Sequence, residues 1–104
     1  MDNRKPDVKF YKSCETNEIT KSNKSKIEAV VEKFDSFEII NILNKGECSA
    51  SNIKIEQILD EKVKNVKFNN ENIEYKYITE NLVEISIKNA LEPGEKGSIE
   101  IYFE

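Results

Sequence analysis

The sequence contains no histidine among its 104 residues. Histidine is the commonest metal ligand and the usual acid–base catalyst near neutral pH, so zinc sites and histidine-based catalysis lose their usual residue. Cysteine is also scarce, because Cys14 and Cys48 are too few for a disulfide framework and lack metal-ligand spacing. Neither thiol has a histidine to activate it as a nucleophile. A single bridge between the two cysteines and a pair of buried small hydrophobic side chains are both open interpretations.

Long apolar runs are missing as well. No run approaches the roughly 18 residues needed to cross a bilayer, and the opening residues MDNRKPD lack the apolar segment of a signal peptide. We therefore expect a soluble segment without membrane insertion. A domain taken from a secreted parent would have the same appearance.

The sequence also lacks a cluster of positive charge. The 16 Lys and Arg residues are outnumbered by 20 Asp and Glu residues, which gives a net charge of −4, and the two signs are interspersed. Phosphate backbones are held by clustered positive charge. The charge pattern therefore predicts no nucleic-acid partner.

The residues that are abundant favour strands. The sequence has 14 Ile and 6 Val against 4 Leu and 3 Ala, which is the β-branched preference of pleated surfaces. A chain of this length forms one domain with one core. We predict an all-β, immunoglobulin-like antiparallel β-sandwich of about seven strands, with 1–6 as a flexible lead-in and 7–104 as the single domain.

Alternating apolar and polar residues place the strands. An edge strand is predicted at Asp7–Ser13, and a central strand covered on both faces at Ser36–Asn44. We interpret Ser36–Leu59, SFEIINILNKGECSASNIKIEQIL, as the central hairpin of the sandwich. Further strands are predicted at 53–59, 63–68, 73–77, 83–88 and 98–103, with the arms 73–77 and 83–88 paired so that Tyr and β-branched residues face each other.

The segment at 25–34 supports two interpretations. Ile27, Val30, Val31 and Phe34 follow helical spacing, and the preceding Ser25 and Glu28 have the form of a capping box. The β-branched residues and the alternation of KIEAV favour a strand instead. We favour the strand and keep a short helix as the alternative.

Turn residues separate these strands. Gly46 offers a position free to take a positive φ after Asn44, and Asn69-Asn70-Glu71-Asn72 is a turn signal. Pro93-Gly94 suits the two central positions of a type II turn, with Leu91 tucked beneath it.

Read in order, these motifs resemble the immunoglobulin-like conserved-repeat domains of bacterial and archaeal cell-surface proteins, including the cell-adhesion-related bacterial type. Asn44-Lys45-Gly46 ends a strand, Ala50–Ile55 leads into the next, and Leu91-Glu92-Pro93-Gly94-Glu95 precedes the final strand. The similarity covers residues 34–104. It is weaker at Phe34-Asp35, where the family has Gly-Asp, and at Asp60-Glu61-Lys62, where the family has a Pro-containing stretch.

The resemblance implies a surface or secreted module that serves as a spacer or an adhesive unit without enzyme activity. Its partners would be neighbouring domains, another protein or a glycan, and we expect a monomer. The alternative is a stand-alone intracellular protein that assembles by pairing an exposed sheet edge. We predict no catalytic, cofactor-binding or metal-binding residues and no cofactor.

A few individual side chains are candidates for sites. Asn44 is predicted to bond nearby backbone and to hold the bend after its strand. The acids Asp35, Asp60 and Glu61 lack the alternation of a calcium loop, and no Lys and Asn pair stands out for a covalent cross-link. Four tyrosines could form an exposed strip for a partner or glycan, although cross-strand packing is favoured; they are Tyr11, Tyr75, Tyr77 and Tyr102.

Overall fold

The computed structural model describes residues 7–12 and 27–104, with side chains at 7–10 and 27–104. Predictions for the lead-in 1–6, for the connection that contains Cys14 and for the Tyr11 side chain lie outside these residues. The described part is all-β. Its strands are β1 (Asp7–Lys12), β2 (Ile27–Lys33), β3 (Phe37–Asn44), β4 (Ala50–Ile58), β5 (Val63–Phe68), β6 (Glu71–Asn72), β7 (Tyr75–Tyr77), β8 (Leu82–Ile87) and β9 (Lys96–Phe103).

Two antiparallel sheets form the predicted sandwich. One has the strand order β1-β4-β8-β7 and the other has the order β2-β3-β9-β5-β6. The inner faces meet in one apolar core, because the inward positions of the long strands carry branched aliphatic residues. Its fully buried members include Ile40, Ile53, Ile55, Val66, Val83, Ile85, Ile99 and Ile101.

The segment at 27–33 is a strand, as favoured. Every residue of β2 pairs with β3, from Ile27 opposite Asn44 to Lys33 opposite Glu38. The helical spacing was misleading, because the pleat places Ile27 and Val31 against the core while Val30 is 54% exposed. No helix is present in the described part of the chain.

The prediction of a central hairpin was wrong. β3 and β4 belong to different sheets, so the connection through Gly46 crosses from one layer to the other. The prediction that both faces of β3 are covered was only half right. Ile40 and Ile42 are fully buried on the inner face, whereas Phe37, Ile39 and Leu43 are half-buried on the outer face.

The predicted arm 73–77 is divided between the sheets, which is one reason why the described residues form nine strands rather than about seven. The Ile73 N–H donates to the Val66 oxygen in the five-stranded sheet (3.0 Å), while the Glu74 oxygen accepts from the Ser86 N–H in the four-stranded sheet (3.2 Å). The chain therefore changes sheets at 73–74. Beyond that point the predicted hairpin is confirmed, with Tyr75 opposite Ile85 and Tyr77 opposite Val83.

Most of the other local predictions are confirmed. β1 is an edge strand, and the strand predicted at 63–68 is β5, which has a register shift between Val63 and Asn65. Asn69 and Asn70 join β5 to β6 with φ of 49° and 73°, which suits a two-residue hairpin turn. At the end of β4, Gln57 rather than Ile58 takes the core position, since Gln57 is 1% and Ile58 is 41% exposed.

The strands run between two ends of the sandwich, which we call the Asn44 pole and the terminal pole. The Asn44 pole holds the connections 45–49 and 88–95. The terminal pole holds the connections 34–36, 59–62 and 78–81 together with both ends of the described chain: Asp7 pairs opposite Glu56 near the end of β4, and the Glu104 N–H donates to the Lys62 oxygen (3.0 Å).

Residues 7–12 and 27–104 contain no helix with the length and apolar character needed to cross a bilayer.

Candidate functional site

Asn44 is the centre of a buried hydrogen-bonded junction at the Asn44 pole. Its side chain is fully buried. The Nδ2 group donates to the main-chain oxygens of Cys48 and Leu91, at 2.8 Å each, and the Oδ1 atom accepts from the Gly46 N–H at 2.9 Å. The prediction that Asn44 bonds nearby backbone is therefore confirmed, and the bond to Leu91 extends it across the two sheets.

Main-chain bonds close the junction from the other side. The Asn44 N–H donates to the Glu95 oxygen (3.1 Å), and the Gly94 N–H donates to the Asn44 oxygen (2.8 Å). Leu91 exchanges two main-chain bonds with Ala50 at 2.8 and 2.9 Å. Every polar group of the Asn44 residue is thus engaged, which is what a buried amide requires.

The turn at Pro93-Gly94 fits this junction as predicted. Gly94 has φ 81°, the Glu95 N–H donates to the Glu92 oxygen at 2.9 Å, and Leu91 is buried beneath the turn. Gly46 contributes an amide proton to the Asn44 side chain, but it does not take the positive φ expected of it.

Side chains hold the same turn from outside. The Ser49 hydroxyl donates to a Glu92 carboxylate oxygen at 2.5 Å, and a Glu95 carboxylate oxygen accepts from the Glu92 N–H at 2.8 Å. The first of these exposed bonds links the connection after β3 to the connection before β9, and the second lies within the turn itself. Sequence reasoning missed the first bond, because its two residues are 43 positions apart.

Cys48 lies in the junction and is 2% exposed. It is disulfide-bonded, and the sequence contains one other cysteine, Cys14, which lies outside the described residues. Burial of Cys48 was expected, whereas its interpretation as a buried thiol was wrong. The Asn44 side chain and the disulfide therefore restrain the same connection.

The tyrosines do not form one strip. Tyr75 and Tyr77 lie on the four-stranded sheet with their rings edge to face, 6.5 Å between centroids, whereas Tyr102 lies on the five-stranded sheet. The Tyr77 hydroxyl accepts from the Val63 N–H at 2.9 Å. The favoured interpretation, cross-strand packing, is confirmed for Tyr75 opposite Ile85.

A different aromatic arrangement lies on the outer face of the five-stranded sheet. The rings of Phe34 and Phe37 stack with centroids 4.7 Å apart, and Phe37 stacks on Tyr102 at 5.7 Å. The Lys67 ammonium lies 5.9 Å from the Tyr102 ring centroid. We call Phe34, Phe37 and Tyr102 the aromatic ladder. Phe34 ends it and is 47% exposed.

The ladder could have been found only in part from the sequence. Phe34 and Phe37 are three residues apart, and the Phe34 N–H donates to the Phe37 oxygen at 2.9 Å in the tight turn between β2 and β3. Tyr102 reaches Phe37 because β9 pairs with β3 in the register that sets them opposite each other. No local pattern specifies that register.

One titrating group in the ladder is perturbed. The Tyr102 hydroxyl donates to a Glu100 carboxylate oxygen at 2.9 Å. This hydrogen bond, then desolvation, then repulsion between the Glu100 charge and a phenolate raise the pKa of Tyr102 above its ordinary value.

The acids considered for calcium are not arranged as a metal site. In the described part of the chain, no group of three or more Cys, Asp or Glu residues is arranged to hold a metal ion. Asp35 lies in the β2–β3 turn, while Asp60 and Glu61 lie in the connection between β4 and β5.

Comparisons with known proteins yield no relative. No protein-family model, no curated protein and no solved structure matches this chain.

Proposed function

We propose that this chain is a non-catalytic structural or adhesive module of a larger bacterial surface or secreted protein, of the immunoglobulin-like conserved-repeat type. The observation that carries the proposal is the bond between Asn44 and the Leu91 oxygen. It joins two of the three motifs on which the sequence resemblance rests, Asn44-Lys45-Gly46 and Leu91-Glu92-Pro93-Gly94-Glu95. The two motifs therefore belong to one structural junction, which supports treating them as one sequence signature of the family rather than as independent matches.

The disulfide of Cys48 supports the proposed location. Disulfides persist in oxidising compartments and are rare in a reducing cytosol. Cys48 is also buried in the junction, where the Asn44 side chain holds its main-chain oxygen. A structural bridge at this place fits a protein that works outside the cytosol.

The architecture supports a mechanical role. The core is continuous between the sheets, and the Asn44 junction ties the two layers at one pole. At the other pole both ends of the described chain emerge together. Chain continuing from these ends would attach the module by its terminal pole and leave the Asn44 pole facing away from the attachment.

The proposal is tested in the source cells with an antibody to the domain. Intact cells are treated with protease, and a second sample is lysed in a membrane-permeant alkylating reagent. We expect the domain to be lost from intact cells and its cysteines to resist alkylation until they are reduced. A protected pool whose cysteines are alkylated without reduction would overturn the proposal.

The alternative, assembly inside the cell through a sheet edge, has one observation in its favour. β2 is a regular edge strand of seven residues, no described strand pairs with its outer side, and Val30 at its centre is 54% exposed. Such an edge is a template for strand addition.

Light scattering across a concentration series separates the two functions. A monomer at all concentrations supports the module. Concentration-dependent assembly that Val30→Lys abolishes, and that the matched exposed substitution Ile78→Lys leaves intact, would support edge pairing instead.

A further inference from the structure

We propose that the terminal pole carries a docking cleft for a lysine or arginine side chain of a partner protein segment. This inference deepens the proposed module function and rests on it, because it names where the module would contact a neighbour and the chemistry of that contact. Four connected observations support it.

Exposed apolar residues gather at the terminal pole. Phe34, Ile58, Tyr77 and Ile78 are between 41% and 47% exposed. They lie in or directly beside the connections 34–36, 59–62 and 78–81. The last two connections are neighbours, since Ile58 pairs opposite Leu82 and the Leu59 N–H donates to the Asn81 oxygen at 2.8 Å. Exposed apolar residues that cluster mark an interaction site more often than scattered ones.

A cleft of about 140 Å³ opens within this cluster. Phe34, Ile58 and Phe103 supply its apolar walls. They belong to both sheets, because Ile58 ends β4 while Phe103 ends β9. Its volume suits one side chain rather than a helix or a second strand.

The polar lining of the cleft is mostly negative. Glu38, Asp60 and Glu61 contribute three carboxylates, against the single ammonium of Lys33, which lies 3.6 Å from a Glu38 oxygen. The surroundings of the cleft have the same sign, because the adjoining connections and the last residue add three acids and one basic residue, which are Asp35, Glu80, Glu104 and Lys62. A cationic partner is therefore favoured.

Apolar walls and carboxylates in the same cleft match a long cationic side chain. Lysine and arginine bury their methylene stems along apolar surface and keep the charged head at a polar rim. An acidic or a purely apolar side chain would match only one of the two parts of the cleft.

The aromatic ladder holds one wall of the cleft in place before a partner binds. Phe34 lines the cleft and also stacks on Phe37, 4.7 Å between centroids. A side chain already held by its neighbour loses less conformational entropy on binding, which favours affinity.

The purified domain is titrated with three capped tripeptides while its methyl and amide NMR signals are followed. The probes are acetyl-Gly-Lys-Gly-amide, its norleucine counterpart without the charge, and its glutamate counterpart. We expect the lysine peptide to shift signals of Ile58, Glu61 and Phe103 in a saturable manner. The norleucine peptide should bind about tenfold more weakly, and the glutamate peptide should cause no saturable shift.

Two charge reversals on exposed positions of the same pole serve as a matched pair. Glu61→Lys places an ammonium at the cleft and should weaken the lysine peptide about fivefold, whereas Glu80→Lys, outside the cleft, should change binding by less than about twofold. Ile58→Ser, at a 41% exposed wall, should weaken lysine and norleucine peptides alike.

Any one of three results would refute the proposed docking of a cationic side chain in the cleft. They are the absence of a saturable shift with the lysine peptide, equal binding of the lysine and norleucine peptides, and equal effects of Glu61→Lys and Glu80→Lys. The last would indicate general attraction to an acidic surface. Since the titration uses purified protein, it is independent of the cellular test. If the protein is cytosolic and reduced but the cleft binds the lysine peptide, only the proposed module function is refuted. If the protein is exposed on cells and disulfide-bonded but the cleft does not bind the lysine peptide, only the cleft is refuted.

Discussion

The Asn44 side chain and the Leu91 main-chain oxygen are joined by a 2.8 Å hydrogen bond across 47 positions of sequence. The bond links the end of β3 to the connection between β8 and β9, and through Ala50 it reaches the start of the four-stranded sheet. A single buried amide therefore sets the spacing of three segments at one pole.

Replacing Asn44 should cost more stability than any exposed polar substitution. Asn44→Ala removes three hydrogen bonds and leaves buried main-chain groups unpaired, so we expect a loss of about 3 kcal/mol in the free energy of unfolding. Asn44→Asp should be at least as harmful, because a carboxylate cannot donate to the Cys48 and Leu91 oxygens. Urea denaturation measures both.

The control for that series is Asn41→Ala. The Asn41 side chain is exposed and donates to a Glu32 carboxylate at 2.9 Å, and its loss should cost less than about 0.5 kcal/mol. Equal costs at positions 41 and 44 would show that the junction does not stabilise the fold as described.

The disulfide of Cys48 should be a measurable part of the stability. In the chain-entropy account, Cys48→Ser should lower the free energy of unfolding by roughly 3 to 4 kcal/mol. A reductant should lower the melting temperature of the native protein and leave that of the variant unchanged. A native protein that is insensitive to the reductant, with reactive thiols on unfolding, would contradict the bridge.

Gly97 is needed for space rather than for backbone freedom. A Cβ atom at Gly97 would lie 2.5 Å from a ring carbon of Phe68 and 3.3 Å from Ile42. Gly97→Ala should therefore destabilise the protein by about 1 to 3 kcal/mol through overpacking, as measured by thermal unfolding.

A second substitution tests whether contact with the Phe68 ring causes the destabilisation by Gly97→Ala. Adding Phe68→Leu should recover part of the loss from Gly97→Ala, because it removes the ring that the new methyl group meets. It should not rescue Gly94→Ala, since Gly94 has φ 81° and nothing within 4 Å of its added Cβ. Equal rescue at both positions would refute the steric explanation.

Tyr102 should titrate later than an ordinary tyrosine, because its hydrogen bond to Glu100, desolvation and the Glu100 charge all raise the pKa. The folded protein then holds this proton more tightly than the unfolded chain. The contribution to stability is fully present below the ordinary tyrosine pKa of about 10 and is lost as pH rises through the folded value.

Absorbance of phenolate during a pH titration measures this effect. Glu100→Gln keeps the side-chain size and removes the charge, so one of the four tyrosines should titrate at a lower pH in the variant. The matched substitution Glu84→Gln lies on the other sheet and should leave the curve unchanged. Identical curves for Glu100→Gln and the native protein would refute the assigned cause.

Alternation in the sequence placed most of the strands and their faces, although it did not show that the arm 73–77 is divided between the sheets. Ile53 with Ile55, and Ile99 with Ile101, are buried as the period of two predicts. Alternation does not specify the neighbouring strand, and for that reason the predicted hairpin from β3 to β4 was wrong. Two consecutive strands can pair or can cross to the opposite layer, and a polar connection with one glycine fits either.

At the sites, too, contacts between residues close in sequence were predictable, whereas contacts between distant residues were not. The bond from Asn44 to Gly46 is local and was predictable, because an Asn side chain readily accepts from the amide two residues later. The stacking of Phe37 on Tyr102 and the cleft beside Phe34 depend on strand register and on the meeting of two sheets. Neither arrangement produces a recognisable pattern within a short stretch of the sequence.

The shared exit of Asp7 and Glu104 at one pole has a practical consequence for experiments on this protein. Fluorophores attached at Asp7 and Glu104 would lie at the same pole and should transfer energy while the sandwich is intact. A force applied between these two residues would load β1 in one sheet and β9 in the other from the same pole, so it would separate the sheets from one side instead of stretching the sandwich along its length.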